Sequence, residues 1–289
     1  MKNNPLIGYF YTFLAFLIWG LLPVYWKQLS HVTALEILVN RILWTFVILF
    51  ILVLIKYRQY ILQIIKTNKG FKYLLVSAVF LGTNWYLFIY AISINRILDA
   101  SLGYYINPLV SVLLGVIFLK EKLPKPQIVA VILAMIGVLY LTLNFGRLPL
   151  LSLTLAFSFG SYGLIRKKIN IKPIPAVMIE SLLLFPLFLL IFILSIDSFQ
   201  EIMFFNSNPY TIFLLIGAGV VTLVPLVFYG QGVTMIPLKS VGFIQYITPT
   251  FMLLIGTIIY GEPFTTVHLI SFVFIWVALG IYTWSVFRR

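Results

Sequence analysis

The chain of 289 residues contains no cysteine and very little charge. Without cysteine there can be no disulfide, no thiolate metal site and no cysteine nucleophile. Charged residues make up 9% of the chain and hydrophobic residues 62%, whereas a soluble domain has about 25% and about 45–50% of these classes. A water-soluble fold needs more polar surface than this composition supplies, so the sequence excludes a soluble protein.

Acidic residues and histidine are also scarce, which bears on catalysis. The chain has 7 Asp and Glu and 2 His, against 20 Lys and Arg. It has no His-Glu-x-x-His, no Gly-x-Ser-x-Gly and no phosphate-binding Gly-x4-Gly-Lys-[Ser/Thr] pattern. We therefore expect neither an intramembrane enzyme nor a cofactor. The net charge of +13 lies mainly in short segments between apolar runs, so nucleic acid is not an expected partner.

Ten apolar runs follow one another along the chain, separated by short charged segments. These runs are long and continuous, whereas barrel strands would alternate apolar and polar residues over about ten positions. The first run lacks a small-residue cleavage site, so we expect it to be retained as a span. The predicted transmembrane helices are 6–26, 33–55, 72–92, 99–119, 126–143, 149–165, 174–195, 210–232, 239–260 and 265–286.

The distribution of Lys and Arg predicts the orientation in the membrane. With both termini placed inside, the inner segments hold 16 of these residues and the outer loops hold 3, while Arg41 falls within a span. Positive residues accumulate on the cytoplasmic side of membrane proteins. The sequence therefore predicts a multi-pass protein of the plasma membrane with an even number of spans and both termini in the cytoplasm.

The second half of the sequence repeats the first. Pro108 and Glu121 recur as Pro249 and Glu262 at an offset of 141 residues. Further matches between the first and sixth spans and between the third and eighth keep nearly the same offset. One such match would be weak, but a near-constant offset along three pairs of spans indicates an internal duplication.

Each repeat contains five spans, an odd number, so the second copy enters the membrane from the opposite face. The predicted fold is an all-α integral membrane protein of ten transmembrane helices, built as two inverted five-helix repeats at 1–145 and 146–289. Inverted repeats can exchange inward-open and outward-open states around a site near the midplane, which is alternating access. The alternative is a duplication that merely enlarged a helical scaffold or sensor.

Two prolines at equivalent points of the two halves mark the expected central site. Pro108 and Pro249 each remove a backbone donor inside a span, and broken helices line the central cavities of transporters. A simple kink for packing is the alternative. Polar side chains at this depth are costly unless they form hydrogen bonds. The residues expected to bind substrate are Arg41, Asn84, Trp85, Tyr105, Asn107, Gln245 and Tyr246.

Three charged residues lie inside predicted spans, where a charge costs about 2.5–3.5 kcal/mol. Arg41 can hold a carboxylate or phosphate by two parallel hydrogen bonds, or it can extend toward the interface. Glu36 and Glu180 are candidate sites for a coupling proton, because apolar surroundings favour the neutral carboxyl. The alternatives are a solvated carboxylate near the surface for Glu36 and a structural partner of a Lys or Arg for Glu180.

Short strings in both halves carry a resemblance to a known family. They include Trp19-Gly20, Gly82-Thr83-Asn84-Trp85, Asn107-Pro108, Gln245-Tyr246 and Tyr260-Gly261-Glu262. Together they resemble the EamA family of the drug/metabolite transporter superfamily, and more narrowly its RarD-type members, some of which are labelled chloramphenicol-sensitive. The resemblance implies ten helices in inverted repeats and transport of small metabolites. One departure is Lys120-Glu121, where the second half keeps Gly261-Glu262.

The predicted function is secondary active transport or export of a small metabolite or drug-like solute by alternating access. Since there is no nucleotide-binding motif, an ion or substrate gradient would supply the energy. The expected partners are a small-molecule solute, membrane lipid and a coupling proton. A non-catalytic scaffold or sensor is the alternative. The substrate, the coupling ion, the direction of transport and the oligomeric state stay open.

Overall fold

The computed structural model of the protein describes residues 4–67, 69–93, 97–144, 149–169, 171–196, 202–261 and 264–288. All regular structure in these ranges is helical. The helices are α1 (Pro5–Lys27), α2 (Ala34–Lys56), α3 (Arg58–Thr67), α4 (Lys69–Ser93), α5 (Ile97–Leu119), α6 (Lys125–Asn144), α7 (Leu150–Lys168), α8 (Pro173–Ser195), α9 (Met203–Asn206), α10 (Pro209–Met235), α11 (Leu238–Gln245), α12 (Ile247–Leu254), a π-helical turn Ile255–Ile259 and α13 (Thr266–Phe287).

Eight helical segments in these ranges are long and apolar enough to cross a membrane. They are α1, α2, α5, α6, α8, α10, the segment from α11 through the π-helical turn, and α13. Each of the ten predicted spans coincides with a helical segment to within a few residues, but α4 and α7 are not among the eight. An all-helical membrane protein is therefore confirmed, whereas the count of ten spans stays a prediction.

Polar residues fix where several of these helices begin. The side chain of Asn4 accepts from the backbone N–H of Leu6 at the start of α1, and Thr33 caps α2 in the same way. Asn208 caps α10, and Thr265 opens α13 with a reciprocal capping box. Side-chain oxygens at these positions satisfy backbone donors that have no partner within the helix.

The ninth predicted span is interrupted as expected, but its counterpart in the first half is not. α11 ends at Gln245, Tyr246 forms a turn, and Pro249 lies in the first turn of α12, where a missing N–H costs no helical hydrogen bond. α5, by contrast, runs through Pro108 as a continuous helix. The predicted break at Pro108 is wrong, because a helix packed among neighbours can lose one hydrogen bond without ending.

The contacts between helices are symmetric: when two helices pack together, their counterparts in the other half also pack together. α1 packs on α10 and α12, and its counterpart α7 packs on α4 and α5. α2 packs on α10 as α8 packs on α4. Three further pairs, α2 with α8, α5 with α11 and α6 with α13, place a helix against its own counterpart. A pseudo-two-fold axis between the halves would give this pattern.

The end of α5 adopts a backbone conformation that favours glycine. Lys120 has a φ of 54°, in the left-handed region, and Gly261 at the equivalent position of the second half has a φ of 66°. The backbone N–H of Glu121 donates to the carbonyl of Gly115 at 3.1 Å, which closes the helix end. A left-handed residue other than glycine costs about 1–2 kcal/mol.

Replacing Lys120 with glycine is therefore expected to stabilise the protein by about 0.5–1 kcal/mol. The substitution relieves the backbone strain, and the greater conformational entropy of glycine in the unfolded chain offsets part of that gain. The measurement is thermal unfolding of the purified protein in detergent. Lys122→Gly is the matched control, because Lys122 has no positive φ, and it should destabilise slightly. A lower melting temperature for Lys120→Gly would contradict the prediction.

Candidate functional site

A cavity lies between the two halves of the protein. Its empty space is about 900 Å³, which includes the part that is open to solvent. Helices α1, α2, α4, α5, α7, α10, α11 and α12 all contribute to its wall. Aromatic side chains form much of the lining, and they are Phe16, Trp19, Trp26, Trp85, Phe88, Tyr104 and Phe159.

Among the described residues that line the cavity, one is charged, and it is Arg41. Its guanidinium carbon lies 4.7 Å from the ring centre of Trp85 and 5.6 Å from that of Trp26. Its Nε is buried and has no hydrogen-bond partner in the described ranges. Cation–π contacts of this kind contribute about 0.5–2 kcal/mol each. Stacking therefore holds the guanidinium in place without engaging Nε.

Three neutral polar residues meet at the junction of α5 and α11. The hydroxyl of Ser111 lies 3.5 Å from Oδ1 of Asn107 and 3.4 Å from Oε1 of Gln245, so its single proton can be donated to either carbonyl oxygen. Asn107 and Gln245 line the cavity. These bonds use the carbonyl oxygens, so the amide N–H groups take no part in them.

Two more polar residues of the wall hold neighbouring helices together. The amide nitrogen of Asn84 donates to the carbonyl of Leu155 at 2.9 Å and to Oγ of Ser158 at 3.2 Å, which links α4 to α7. The hydroxyl of Thr248 donates to the carbonyl of Phe16 at 2.8 Å, which links α12 to α1. The wall is therefore fixed by hydrogen bonds that join the two halves.

Most of the predicted substrate-binding residues lie together in this wall. Arg41, Asn84, Trp85, Asn107 and Gln245 all line the cavity, as does Pro249 at the helix interruption. Their contact with a substrate stays a prediction. Thr248, which the sequence analysis did not select, lies next to Pro249 in the same wall.

Two tyrosines that were predicted to bind substrate lie elsewhere. The ring of Tyr105 packs edge-on against Phe272 of α13, with 5.4 Å between ring centres. Tyr246 is buried in the turn between α11 and α12. Tyr104 lines the cavity instead. Successive helical residues are about 100° apart, so Tyr104 shares a face with Asn107 whereas Tyr105 does not.

Glu36, a predicted coupling carboxylate, binds the backbone of a neighbouring segment. Its Oε1 accepts from the N–H of Phe204 at 2.7 Å, and its Oε2 accepts from the N–H of Met203 at 3.2 Å. The side chain is buried rather than solvated, and it does not line the cavity. The alternative of a solvated carboxylate near the surface is therefore wrong, and the carboxylate has a structural contact because it caps α9.

Glu180 lies in a buried polar cluster with Arg166. Oε1 of Glu180 is 3.7 Å from Nη1 of Arg166, and both side chains are fully buried. The Ser77 hydroxyl donates to Oε1, and the Tyr162 hydroxyl donates to Oε2 at 3.3 Å. Arg166 lies in the last turn of α7 and is buried there. Glu180 thus has the structural partner that was its alternative reading.

An aromatic layer separates the cavity from this ion pair. We define it as Phe16, Trp19, Phe159, Tyr162 and Tyr229. The rings of Tyr162 and Tyr229 are stacked with centres 5.9 Å apart, and Phe159 lies 5.3 Å from Tyr229 and 5.6 Å from Trp19. Phe16 and Trp19 also line the cavity. The layer therefore closes one end of the cavity with packed rings.

The same end of the bundle is closed further out by Glu121. Its carboxylate accepts from the backbone N–H groups of Leu238 at 2.7 Å and Lys239 at 2.9 Å, at the start of α11. The ammonium of Lys239 donates to Oε1 of Gln127 at 2.9 Å. A carboxylate at a helix N-terminus is favoured by the helix dipole. We call this end of the protein the Glu121 face.

The sequence analysis missed the aromatic face of α1. Phe16, Trp19, Leu22 and Trp26 all line the cavity. Their spacing of three to four residues places them on one side of a helix. The periodic spacing was the available signal, but a hydrophobic span offers several such faces.

Comparison with known proteins identifies the family. The sequence model of the EamA-like transporter family matches residues 6–143 and, separately, residues 148–284. The chain belongs to the EamA-like transporter family. This EamA-family chain is 43% identical over 270 residues to Protein RarD of Escherichia coli (strain K12), covering 93% of this chain and 90% of RarD. The predicted resemblance is confirmed, and a transporter family rather than an enzyme is shown.

A further relative and a solved structure are similar to this chain over nearly its whole length. The EamA-family chain is 41% identical over 283 residues to an uncharacterized transporter of Bacillus subtilis (strain 168), YojE, covering 96% of this chain and 94% of YojE. A solved crystal structure has the same fold with a TM-score of 0.70 at 16% identity, covering 98% of this chain and 99% of that one. The separate matches of the two halves support a duplicated domain.

Proposed function

We propose that this EamA-family protein is a secondary transporter that moves a small organic solute across the plasma membrane through the central cavity. The observation that carries the proposal is that both halves line one cavity, with polar groups from α2, α4, α5 and α11 among aromatic walls. A scaffold would have no use for a buried guanidinium such as that of Arg41, whose Nε has no hydrogen-bond partner in the described ranges, because such a group is costly.

Alternating access follows from the proposed symmetry of the halves. We take α4 and α7 as the two remaining spans, which gives ten helices in two inverted repeats at 1–145 and 146–289. The interchange of helix pairs supports this arrangement. The distribution of Lys and Arg supports a cytoplasmic location for the Glu121 face and both termini. The described conformation is then closed toward the cytoplasm by the aromatic layer and the Glu121 cap.

A proton is the proposed coupling ion, and Glu180 is the proposed carrier. Its carboxylate lies behind the aromatic layer and is joined to it by the hydroxyl of Tyr162. Opening of the cavity toward the cytoplasm would separate the rings of the layer and admit water to this carboxylate. Glu36 is not proposed in this role, because its carboxylate lies at the start of α9 and not beside the aromatic layer.

Counterflow of labelled solutes in reconstituted vesicles tests the proposal. A mixed panel of organic acids, amino acids, nucleosides and chloramphenicol is preloaded, and uptake of each labelled member is followed. We expect saturable counterflow for at least one solute, reduced about tenfold or more by Asn107→Leu, which removes an amide from the wall. Asn144→Leu is the matched control, because Asn144 is an exposed amide at the end of α6.

The control variant should retain full counterflow. Folded protein that gives no counterflow with any solute would overturn the transport proposal in favour of a scaffold or sensor. Equal counterflow in the wild type and in Asn107→Leu would remove this amide from the site.

A further inference from the structure

The chemistry of the cavity wall restricts the solutes that the cavity can hold. We propose that the substrate is an organic monoanion, a carboxylate joined to a flat apolar body without an ammonium group. This inference rests on the proposed transport function and specifies the substrate class of the same cavity. It follows from the charge, the geometry of the guanidinium and the chemistry of the remaining wall.

The first step concerns charge. The described lining contains the guanidinium of Arg41 and no carboxylate. A cation held away from water is costly unless it is paired with an anion and its hydrogen-bond donors are satisfied. In the described ranges no protein group accepts from Nε of Arg41. An anionic solute would complete this site by supplying both the charge and the acceptors.

The second step concerns geometry. Trp85 and Trp26 lie against the guanidinium, with its carbon 4.7 Å and 5.6 Å from their ring centres. These ring contacts supply no hydrogen-bond acceptor, and the N–H donors of a guanidinium lie in its plane. A carboxylate is planar and presents two acceptor oxygens that match such an edge by paired hydrogen bonds. The arrangement therefore selects a carboxylate over a spherical anion.

The third step concerns the body of the solute. Phe88, Tyr104 and Phe159 supply further ring surfaces in the wall. Aromatic rings pack favourably against flat apolar groups in offset or edge-to-face arrangements. The amide donors of Asn107 and Gln245 are left for an acceptor on the solute, since Ser111 contacts their carbonyl oxygens. The wall thus fits a flat body with few polar groups.

The fourth step excludes amines and zwitterions. An ammonium group would find no carboxylate in the described lining and would be repelled by Arg41. Tryptophan faces can bind a cation, but Trp26 and Trp85 already contact the guanidinium, and Trp19 packs within the aromatic layer. An α-amino acid would therefore satisfy Arg41 at one end and bury an unpaired charge at the other.

Isothermal titration of the purified protein in nanodiscs tests this assignment. The ligands are phenyl, naphthyl and indolyl carboxylates, each beside its neutral amide, its amine and its α-amino acid. We expect at least one carboxylate to bind about tenfold or more tightly than its amide, because a charge-assisted pair replaces neutral hydrogen bonds. The amine and the amino acid should bind more weakly than the carboxylate.

Two variants locate the preference in the cavity. Arg41→Gln should remove the advantage of the carboxylate over the amide while leaving the affinity for the amide within about threefold. Arg288→Gln is the matched control, because Arg288 also lies over a tryptophan, Trp284, at 4.8 Å but is exposed at the end of α13. This control should retain the full preference.

The outcomes separate the two proposals. The inference is overturned if no carboxylate in the three series is preferred over its amide, or if the preference survives Arg41→Gln. If either of these results were obtained while some solute still showed counterflow, the substrate class would be wrong but the proposed transport function would be supported. A preference for carboxylate that depends on Arg41, with no counterflow for any solute including these acids, would support the binding site and contradict transport.

Discussion

Replacing Arg166 with leucine is expected to lower the free energy of unfolding by about 3–5 kcal/mol, because it leaves the Glu180 carboxylate buried and unpaired. Both side chains of this pair are fully buried, with 3.7 Å between Nη1 and Oε1. Hydrogen bonds from Ser77 and Tyr162 would remain, but they cannot balance the charge. Denaturant unfolding in detergent, followed by tryptophan fluorescence, gives the measurement.

The double variant Arg166→Leu/Glu180→Leu distinguishes charge from packing. Removal of both charges should recover most of the loss, since well-packed apolar residues often replace a buried ion pair without cost. The matched control is Lys168→Leu, an exposed cation two residues further along α7, with an expected change within about 0.5 kcal/mol. Losses that simply add in the double variant would show that the two groups do not stabilise each other.

Replacing Glu121 with glutamine is expected to open the Glu121 face more often. The carboxylate accepts from the N–H groups of Leu238 and Lys239 at 2.7 Å and 2.9 Å. An amide has a single acceptor oxygen and no charge, so it loses one bond and weakens the other. Hydrogen bonds to charged groups contribute about 1.5–3 kcal/mol, and about 1.4 kcal/mol shifts a conformational equilibrium tenfold.

A single introduced thiol would report this opening. The natural chain has no cysteine, so Ser111→Cys provides a unique reactive site on α5, between Asn107 and the Glu121 face, and Ser111 is 1% exposed. We expect maleimide labelling at this position to be about tenfold faster when Glu121→Gln is added. Lys122→Gln, the neighbouring substitution, should leave the rate unchanged. An equal rate in both backgrounds would contradict a gate held by Glu121.

The positions of the long helices could be predicted because burial in lipid leaves a strong signal. Continuous apolar runs and short charged segments place the span limits within a few residues of the helices. The short helices α3 and α9 were missed, since each lies in a segment that the sequence analysis assigned to a loop. A four-residue helix such as α9 depends on a distant carboxylate, that of Glu36, for its cap.

The cavity could be predicted in part, because polar residues in apolar spans need a partner. This reasoning selected Arg41, Asn107 and Gln245, which do line the cavity. It failed where the rotation of a helix decides the outcome, as for Tyr104 and Tyr105, which differ by one position and face different neighbours. Hydropathy cannot distinguish two adjacent tyrosines, and only the packing of α5 against α7 and α11 does so.

The interchange of helix pairs has a consequence for how the chain holds together. All the extensive helix contacts in the described ranges join a helix of one half to a helix of the other. Neither half encloses a core of its own, unlike ordinary domains that could fold alone. Because the two halves belong to one chain, each is held at a high effective concentration around the other. In these terms the protein resembles a dimer whose two subunits are parts of the same chain.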